Sequence, residues 1–191
     1  MFDASRLIVV TNRHLCINDY LTQLEKVTAL RPQALILREK DLAPEDYAEL
    51  AAQVLDICER NQVACFLHSH VAQAEALGCR RIHLSVPDLR EQAGKLGAFS
   101  EISVSCHSLA DVREATAAGA TRVLLGNIFE TDCKKGLAGK GLDFLREICT
   151  ASPVPVYAIG GISPEKLPDV LAAGAAGGCM MSGFMRMRFD A

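Results

Sequence analysis

Short, almost continuously apolar runs recur along the chain, separated by longer stretches in which apolar residues repeat every three or four positions. The short runs are rich in β-branched residues and do not alternate strictly between apolar and polar, which is typical of strands covered on both faces of a parallel sheet. Glycines weaken the last of these runs, but its position after a helical pattern still favours a strand. We predict eight strands: residues 6–11, 34–38, 63–67, 81–84, 102–105, 122–125, 154–159 and 177–181.

Helical patterns lie between these runs. Residues 46–60 place an apolar stripe on one face, after Pro44 at the expected start of the helix. Residues 109–118 and 164–173 follow the same pattern, and Ser163 before Pro164 resembles an N-cap followed by a proline in the first helical turn.

Eight strands alternating with helices predict an α/β protein with a (β/α)₈ TIM barrel, in a single domain spanning residues 1–191. The nine residues that follow Ser182 are too few for a full closing helix, so we expect the eighth helix to be curtailed or missing. An open, doubly wound sheet uses the same alternation and remains the alternative.

Composition excludes several classes of protein. The net charge is −3 and basic residues do not cluster, so the chain lacks the surface that neutralises nucleic-acid phosphates. No apolar stretch is long enough to cross a membrane. The eight cysteines form no Cys-x-x-Cys pair, and we expect reduced, mostly buried thiols in a cytoplasmic protein.

Parallel barrels collect their chemistry at the carboxyl ends of the strands. Glycine-rich turns follow the last two strands there, and backbone N–H groups in such turns bind phosphate. Two basic side chains follow the second strand, and a long loop follows the sixth. The candidate ligand-binding residues are therefore Arg38, Lys40, Ser105, Thr131, Asp132, Cys133, Lys134, Gly160, Gly161, Met181, Ser182 and Gly183.

The histidines differ in what their positions predict. His107 directly follows the fifth strand, faces the expected barrel mouth and titrates near neutral pH, so it is a candidate proton shuttle. His83 lies inside a strand, where packing is the expected role. His68 and His70 are spaced to ligate a metal from an extended segment, but no third ligand is evident.

Five segments of the chain resemble the thiamine phosphate synthase superfamily: GNIFETDCKKGLAGKGLDFL, LILREKD, ISVSCHSL, VYAIGGISPEKL and CMMSG. The similarity runs from about Arg6 to Gly183, and ETDCKKG is most similar to the thiazole tautomerase branch. The resemblance implies a (β/α)₈ barrel that binds the phosphorylated thiazole half of thiamine. The synthase joins thiazole phosphate to a pyrimidine methyl diphosphate with Mg²⁺, whereas the tautomerase aromatises carboxythiazole phosphate without metal.

The resemblance also implies roles for single residues. Arg38 and Lys40 match the diphosphate-binding pair of the synthase, although its neighbouring glutamine is Ile36 here. The synthase contacts on the fifth strand and in the loop after the sixth strand match Ser105, Thr131 and Lys134.

The synthase's metal-binding residues are only partly kept. Its Asn-Asp pair falls at His68 and Ser69, which removes one metal carboxylate, and Asp88 matches the other. Asp88 has three readings from the residues alone: it orients a ligand, binds a cation or caps the following helix. One remaining carboxylate is a poor site for a hard cation. We therefore expect no cofactor, with Mg²⁺ and Asp88 involved only if the protein is a synthase.

The tautomerase branch carries a histidine for proton transfer at the position of Asn127. An amide has no useful pKa for moving a proton near pH 7. Either His107 or Cys133 takes over that step, or the barrel binds its ligand without the chemistry. The candidate catalytic residues are therefore His107, Asn127 and Cys133.

Three hypotheses follow for function. The leading one is a thiazole tautomerase-like isomerase that aromatises carboxythiazole phosphate by metal-independent proton transfer. The alternatives are a thiamine phosphate synthase and a non-catalytic binder or regulator of thiamine-related phosphates. We expect a small phosphorylated thiazole as the partner, with no nucleic acid and no membrane, and a homo-oligomer that covers apolar surface left by the short eighth helix.

Overall fold

The computed structural model describes residues 3–131 and 138–189, and eight parallel strands form its centre. The strands pair in sequence order, and the eighth pairs with the first, so the sheet is a closed barrel. This confirms the barrel and excludes the open sheet. The strands are β1 (Leu7–Val10), β2 (Ala34–Leu37), β3 (Ala64–His68), β4 (Arg81–Ser85), β5 (Glu101–Cys106), β6 (Arg122–Gly126), β7 (Val156–Ile159) and β8 (Gly177–Met180).

A helix follows every strand, and a short 3₁₀ turn at Arg13–Leu15 precedes the first helix. No helix of the described ranges is long and apolar enough to cross a membrane. The helices are α1 (Tyr20–Ala29), α2 (Pro44–Arg60), α3 (Val71–Ala76), α4 (Val86–Glu91), α5 (Leu109–Ala117), α6 (Gly141–Ala151), α7 (Leu167–Ala172) and α8 (Ser182–Met185).

The start of α7 differs from its prediction. The carbonyl oxygen of Ser163 accepts hydrogen bonds from the backbone N–H groups of Lys166 and Leu167, so the segment after Ser163 forms a turn. The helix begins only at Leu167, its N-cap is Lys166, and Pro168 occupies its first turn. Ser163 is therefore not the N-cap, because a second proline sets the start of the helix further along.

The apolar strands serve two cores. Alternate residues of a strand point to opposite faces of the sheet, so Ile8 and Val10 of β1 face the barrel interior while Leu7 and Val9 pack under the helices. Both sets are buried, which explains why the strand sequences are continuously apolar. The interior set is Ile8, Val10, Ala34, Ile36, Phe66, Leu124, Tyr157 and Cys179.

The eighth helix is short, as predicted, but the chain after it covers the gap. The side-chain amide of Gln23 in α1 donates hydrogen bonds to the carbonyl oxygens of Phe184 (2.8 Å) and Met187 (2.9 Å). Among the described residues, Ile17 is the only large apolar side chain that is exposed, at 50% exposure. The apolar surface that motivated a homo-oligomer is therefore small, and oligomerisation stays a prediction.

A buried tyrosine joins two strand ends beneath the barrel mouth. Tyr47 of α2 donates a hydrogen bond to the Leu37 carbonyl (2.8 Å) and accepts one from the His68 N–H (2.9 Å). Tyr47→Phe removes one hydrogen-bond partner from each of these buried backbone groups, and unsatisfied buried polar groups cost about 1–3 kcal/mol each. We expect the free energy of unfolding, measured in urea, to fall by about 2 kcal/mol or more. An unchanged denaturation midpoint would contradict this role.

Candidate functional site

A cavity of about 370 Å³ opens at the carboxyl ends of the strands. Most of the candidate residues from the sequence converge on it, although they come from five different strand ends. Asp132, Cys133 and Lys134 lie outside the described residues, so their placement stays a prediction. The candidates that line the cavity are Arg38, Lys40, Ser105, His107, Asn127, Thr131, Gly160, Gly161, Met181, Ser182 and Gly183.

The turn after β7 packs against the segment after β6. Gly160 and Gly161 both have positive φ angles, +98° and +65°, a conformation that favours glycine. A Cβ on Gly160 would lie 2.5 Å from the Cβ of Asn127, and one on Gly161 would lie 2.5 Å from the Glu130 carbonyl oxygen. The backbone N–H of Phe129 donates to the Gly160 carbonyl at 3.0 Å. Only glycine therefore allows this close approach at the cavity wall.

His107 has its tautomer fixed by a backbone contact. Its Nδ1 lies 2.9 Å from the carbonyl oxygen of Gly126, and a carbonyl oxygen only accepts hydrogen bonds. Nδ1 therefore carries the proton, which leaves Nε2 of the neutral ring as an acceptor. Because His107 and Asn127 both line the cavity, the imidazole is placed beside the position where the sequence lacks a titratable group.

Two further histidines line the cavity, and one of them was predicted to serve packing only. His83 is buried between two serines of β5, with Nδ1 2.8 Å from the Ser103 Oγ and Nε2 2.9 Å from the Ser105 Oγ. Burial lowers the pKa of His83 well below its ordinary value. A sequence signal was present, because polar residues alternate in two neighbouring apolar strands, at positions 83 and 85 and at 103 and 105.

His68 makes the stability of the fold depend on pH. Burial, followed by the charges of Lys40 and Arg38, lowers its pKa to about 4, whereas the unfolded chain has the ordinary value of about 6.5. Between these values the unfolded chain binds more protons, so stability is full above pH 6.5 and is lost as the pH falls toward 4. The expected loss from His68 is about 3 kcal/mol. His83 shifts stability in the same direction.

Urea denaturation between pH 7.5 and 4.5 measures this loss. Carboxyl groups also titrate in that range, so the comparison is with His68→Asn, which keeps the backbone contact to Tyr47. We expect the variant's stability to fall less steeply with pH than that of the wild type. Parallel curves for the two proteins would contradict the buried neutral state of His68.

Comparison with known proteins places this architecture in a family. A family model described as thiamine monophosphate synthase matches residues 7–184. The chain belongs to this family. It is 31% identical over 180 residues to a putative thiamine-phosphate synthase of Geobacter sulfurreducens, covering 92% of this chain and 84% of the relative. It is 29% identical over 189 residues to thiamine-phosphate synthase 2 of Streptococcus pneumoniae, covering 96% and 89%.

The fold agrees with a solved structure. Thiamine phosphate pyrophosphorylase from Pyrococcus furiosus superimposes with a TM-score of 0.83 over 97% of this chain and 89% of the other. The two sequences are 24% identical, so this likeness supports the shared barrel. The family and the fold inferred from the sequence are confirmed. The tautomerase branch is not, since the matched relatives carry synthase names.

The thiamine monophosphate synthase family implies Mg²⁺, and Asp88 matches one of its carboxylate ligands. In this structure the Asp88 carboxylate caps a helix. Its carboxylate Oδ2 accepts hydrogen bonds from the Ser69 hydroxyl (2.7 Å) and the Ser85 N–H (3.3 Å), while its own N–H donates to Ser85 Oγ. The two contacts with Ser85 form the capping box of α4, which confirms the capping reading of Asp88, while its roles toward a ligand or a cation stay predictions. Asp88 is a single carboxylate that already accepts hydrogen bonds, so Mg²⁺ here would need substrate phosphates and water as its other ligands.

The two-histidine metal hypothesis gains no support from the described residues. The His70 ring stacks on Tyr47, with centroids 3.9 Å apart, and the His68 Nδ1 bonds to the carbonyl oxygen of His83 at 3.1 Å. Each ring is therefore committed to a different partner. Within residues 3–131 and 138–189, no three His, Cys, Asp or Glu side chains are grouped so as to hold a metal.

Proposed function

We propose that this chain is a thiamine phosphate synthase, which joins a thiazole phosphate to a pyrimidine methyl diphosphate. The observation that carries the proposal is the presence of two anion-binding regions on one cavity. Arg38 and Lys40 line it after β2, and glycine-rich turns line it after β7 and β8. A reaction between a monophosphate and a diphosphate needs two such regions, whereas an isomerase with one phosphorylated substrate needs one. The names of the family relatives support the same activity.

Each region has a defined task in this reaction. The turn at Gly160 and Gly161, with Ser182 and Gly183, lines the cavity, and backbone N–H groups of such turns would bind the thiazole phosphate. The thiazole nitrogen then bonds to the pyrimidine methylene carbon as the carbon–oxygen bond to diphosphate breaks. Negative charge grows on the departing diphosphate, and cationic donors placed there stabilise it in the transition state. Arg38 and Lys40 would supply that charge.

A thiazole tautomerase is the second candidate, and His107 is the observation that favours it. A proton shift needs a group that accepts and returns a proton, and His107, with its Nδ1 bonded to the Gly126 carbonyl, would do both at Nε2. The Ser69–Asp88 contact, which replaces a metal carboxylate pair, agrees with a metal-independent step. The substrate would occupy only the glycine-rich region.

Two assays on one protein preparation separate the candidates. We expect thiamine phosphate to form from the two half-molecules, assayed with MgCl₂ and separately with EDTA. His107→Gln should change this rate only a few-fold, because the condensation requires no proton shuttle, but a tautomerase should lose about 100- to 10,000-fold. Aromatisation of carboxythiazole phosphate without thiamine phosphate formation would favour the isomerase. Tight binding of thiazole phosphate with neither turnover would favour the non-catalytic binder.

We also propose that the protein acts in the cytoplasm. Its phosphorylated substrates are charged metabolites, and every cysteine of the described residues is a free thiol, as in reducing compartments. Cys133 lies outside those residues. Fractionation of cells with an antibody against the chain tests this location.

A further inference from the structure

Basic and acidic residues alternate directly after β2, in the order Arg38, Glu39, Lys40, Asp41. The segment leaves β2 at Leu37 and enters a turn at Lys40 and Asp41. Arg38 and Lys40 line the cavity, while the two acidic residues do not. The carboxylates instead meet Arg13, which follows β1 and lies outside the cavity lining.

Glu39 is a buried carboxylate with several donors. It is 2% exposed, and it accepts hydrogen bonds from the Thr11 hydroxyl (2.7 Å), the Tyr20 hydroxyl (2.8 Å) and the backbone N–H of Arg13 (3.1 Å). The Thr11 oxygen in turn accepts from the Arg38 N–H at 2.9 Å. The backbone that carries Arg38 is therefore tied to the buried carboxylate through one hydroxyl.

A single guanidinium holds both carboxylates. The Arg13 Nη1 lies 3.2 Å from Glu39 Oε2, and the Arg13 Nη1 and Nη2 make paired contacts of 2.7 and 2.6 Å with the two oxygens of Asp41. These hydrogen bonds, with one from His14, hold the pKa of the Asp41 carboxyl well below its usual range. The Asp41 carboxyl therefore stays charged, and both acidic side chains lie on the Arg13 side of the segment.

Arg38 and Lys40 are the neighbours of these carboxylates in sequence, and His14 makes a further contact of 2.9 Å with Asp41. No ion pair joins Arg38 or Lys40 to another of the described residues. A carboxylate that turned toward them would neutralise the charge that a substrate anion needs. The guanidinium of Arg13 prevents this. It makes paired hydrogen bonds to Asp41 and one to Glu39, and so holds both carboxylates away from the cavity.

We propose that Arg13 is a positioning residue for anion binding: it sequesters Glu39 and Asp41, and thereby keeps Arg38 and Lys40 available for the diphosphate of the substrate. This inference rests on the proposed function for the identity of the anion. It assigns a role in binding to a side chain that does not line the cavity.

Titration calorimetry with inorganic pyrophosphate tests the proposal. We expect Arg13→Ala to bind pyrophosphate about tenfold more weakly, the effect of bringing one opposite charge within roughly 4 Å of a surface site. Removing Asp41 as well, in Arg13→Ala/Asp41→Ala, should restore affinity to within about threefold of the wild type. A purely structural role for Arg13 predicts no such rescue, because the second truncation removes a further side chain.

Arg60→Ala is the matched control, since Arg60 also bridges two carboxylates, those of Glu25 and Asp56, but lies outside the cavity lining. It should leave pyrophosphate affinity unchanged. If Arg13→Ala fails to fold, judged by its urea midpoint, Arg13→Lys replaces it, because one ammonium cannot hold both carboxylates in the same way. That variant should show a smaller loss, again relieved by Asp41→Ala.

The outcomes separate this inference from the proposed function. Wild-type affinity in the Arg13 variants, or weakened binding that Asp41→Ala does not relieve, overturns the sequestering role while thiamine phosphate formation stands. Absence of pyrophosphate binding in the wild type overturns the role of Arg13 as well, and removes the diphosphate region from the proposed function. Weakened binding with rescue supports the proposal.

Discussion

Gly160→Ala is expected to lower the free energy of unfolding by about 3–5 kcal/mol and to abolish binding of thiazole phosphate. The φ angle of Gly160 is +98°, and a Cβ there would lie 2.5 Å from the Cβ and 2.8 Å from the Cα of Asn127. Backbone and Cβ atoms cannot rotate away as a flexible side chain can. The turn after β7 must therefore move away from the segment after β6, and the backbone N–H groups at the cavity wall move with it.

Gly119→Ala provides the matched control for this variant. Gly119 has a similar φ angle of +92°, but a Cβ there would meet nothing within 4 Å. Its free energy of unfolding should fall only by the cost of placing alanine in the left-handed region, about 1–2 kcal/mol. Urea denaturation and titration with thiazole phosphate measure both variants. Equal losses in the two would show that the φ angle, rather than the approach to Asn127, limits position 160.

The eighth strand shows what sequence reasoning could and could not reach. Its glycines weaken the strand prediction, since glycine has a low preference for strands. In the structure they are packing positions: a Cβ on Gly178 would lie 2.8 Å from Ile162, and Gly177 approaches the carbonyl oxygen of Arg6. The alternation of strand and helix patterns along the chain identified the eighth strand. It did not show the tertiary contacts that require glycine there.

The candidate site was predictable for a geometric reason. Parallel strands of a barrel all end on one face, so residues that follow strands converge even when they are far apart in sequence. Arg38, His107 and Gly160 reach one cavity on this basis alone.

Side-chain partners were not predictable in the same way. The role of Asp88 depended on the hydroxyls of Ser69 and Ser85, and the cavity position of His83 depended on two serines of the next strand. These partners are set by register and rotamer across elements, which a single sequence does not contain. Local signals also mislead where two compete, as with Pro164 before α7 and Pro168 in its first turn.

Arg38→Ala is expected to reduce kcat/KM for the pyrimidine methyl diphosphate by about 100- to 1,000-fold, the effect of removing one preorganised donor to a developing negative charge. Arg38 lines the cavity, and no described residue forms an ion pair with it. Arg38→Lys keeps the charge but loses the planar fork that binds two phosphate oxygens. It should therefore recover only part of the rate.

The substrate dependence of this loss identifies the reaction. If Arg38 acts on the departing diphosphate, steady-state kinetics should show a reduced kcat and a raised KM for the diphosphate substrate. The KM for thiazole phosphate, held by the turns at Gly160 and Gly183, should stay within about threefold, since distant sites act independently. An isomerase would keep its activity in Arg38→Ala, because its single phosphorylated substrate would bind at the glycine-rich turns and would not contact Arg38. Full aromatisation activity in Arg38→Ala, with no thiamine phosphate formed by the wild type, would therefore exclude the synthase and favour proton transfer by His107.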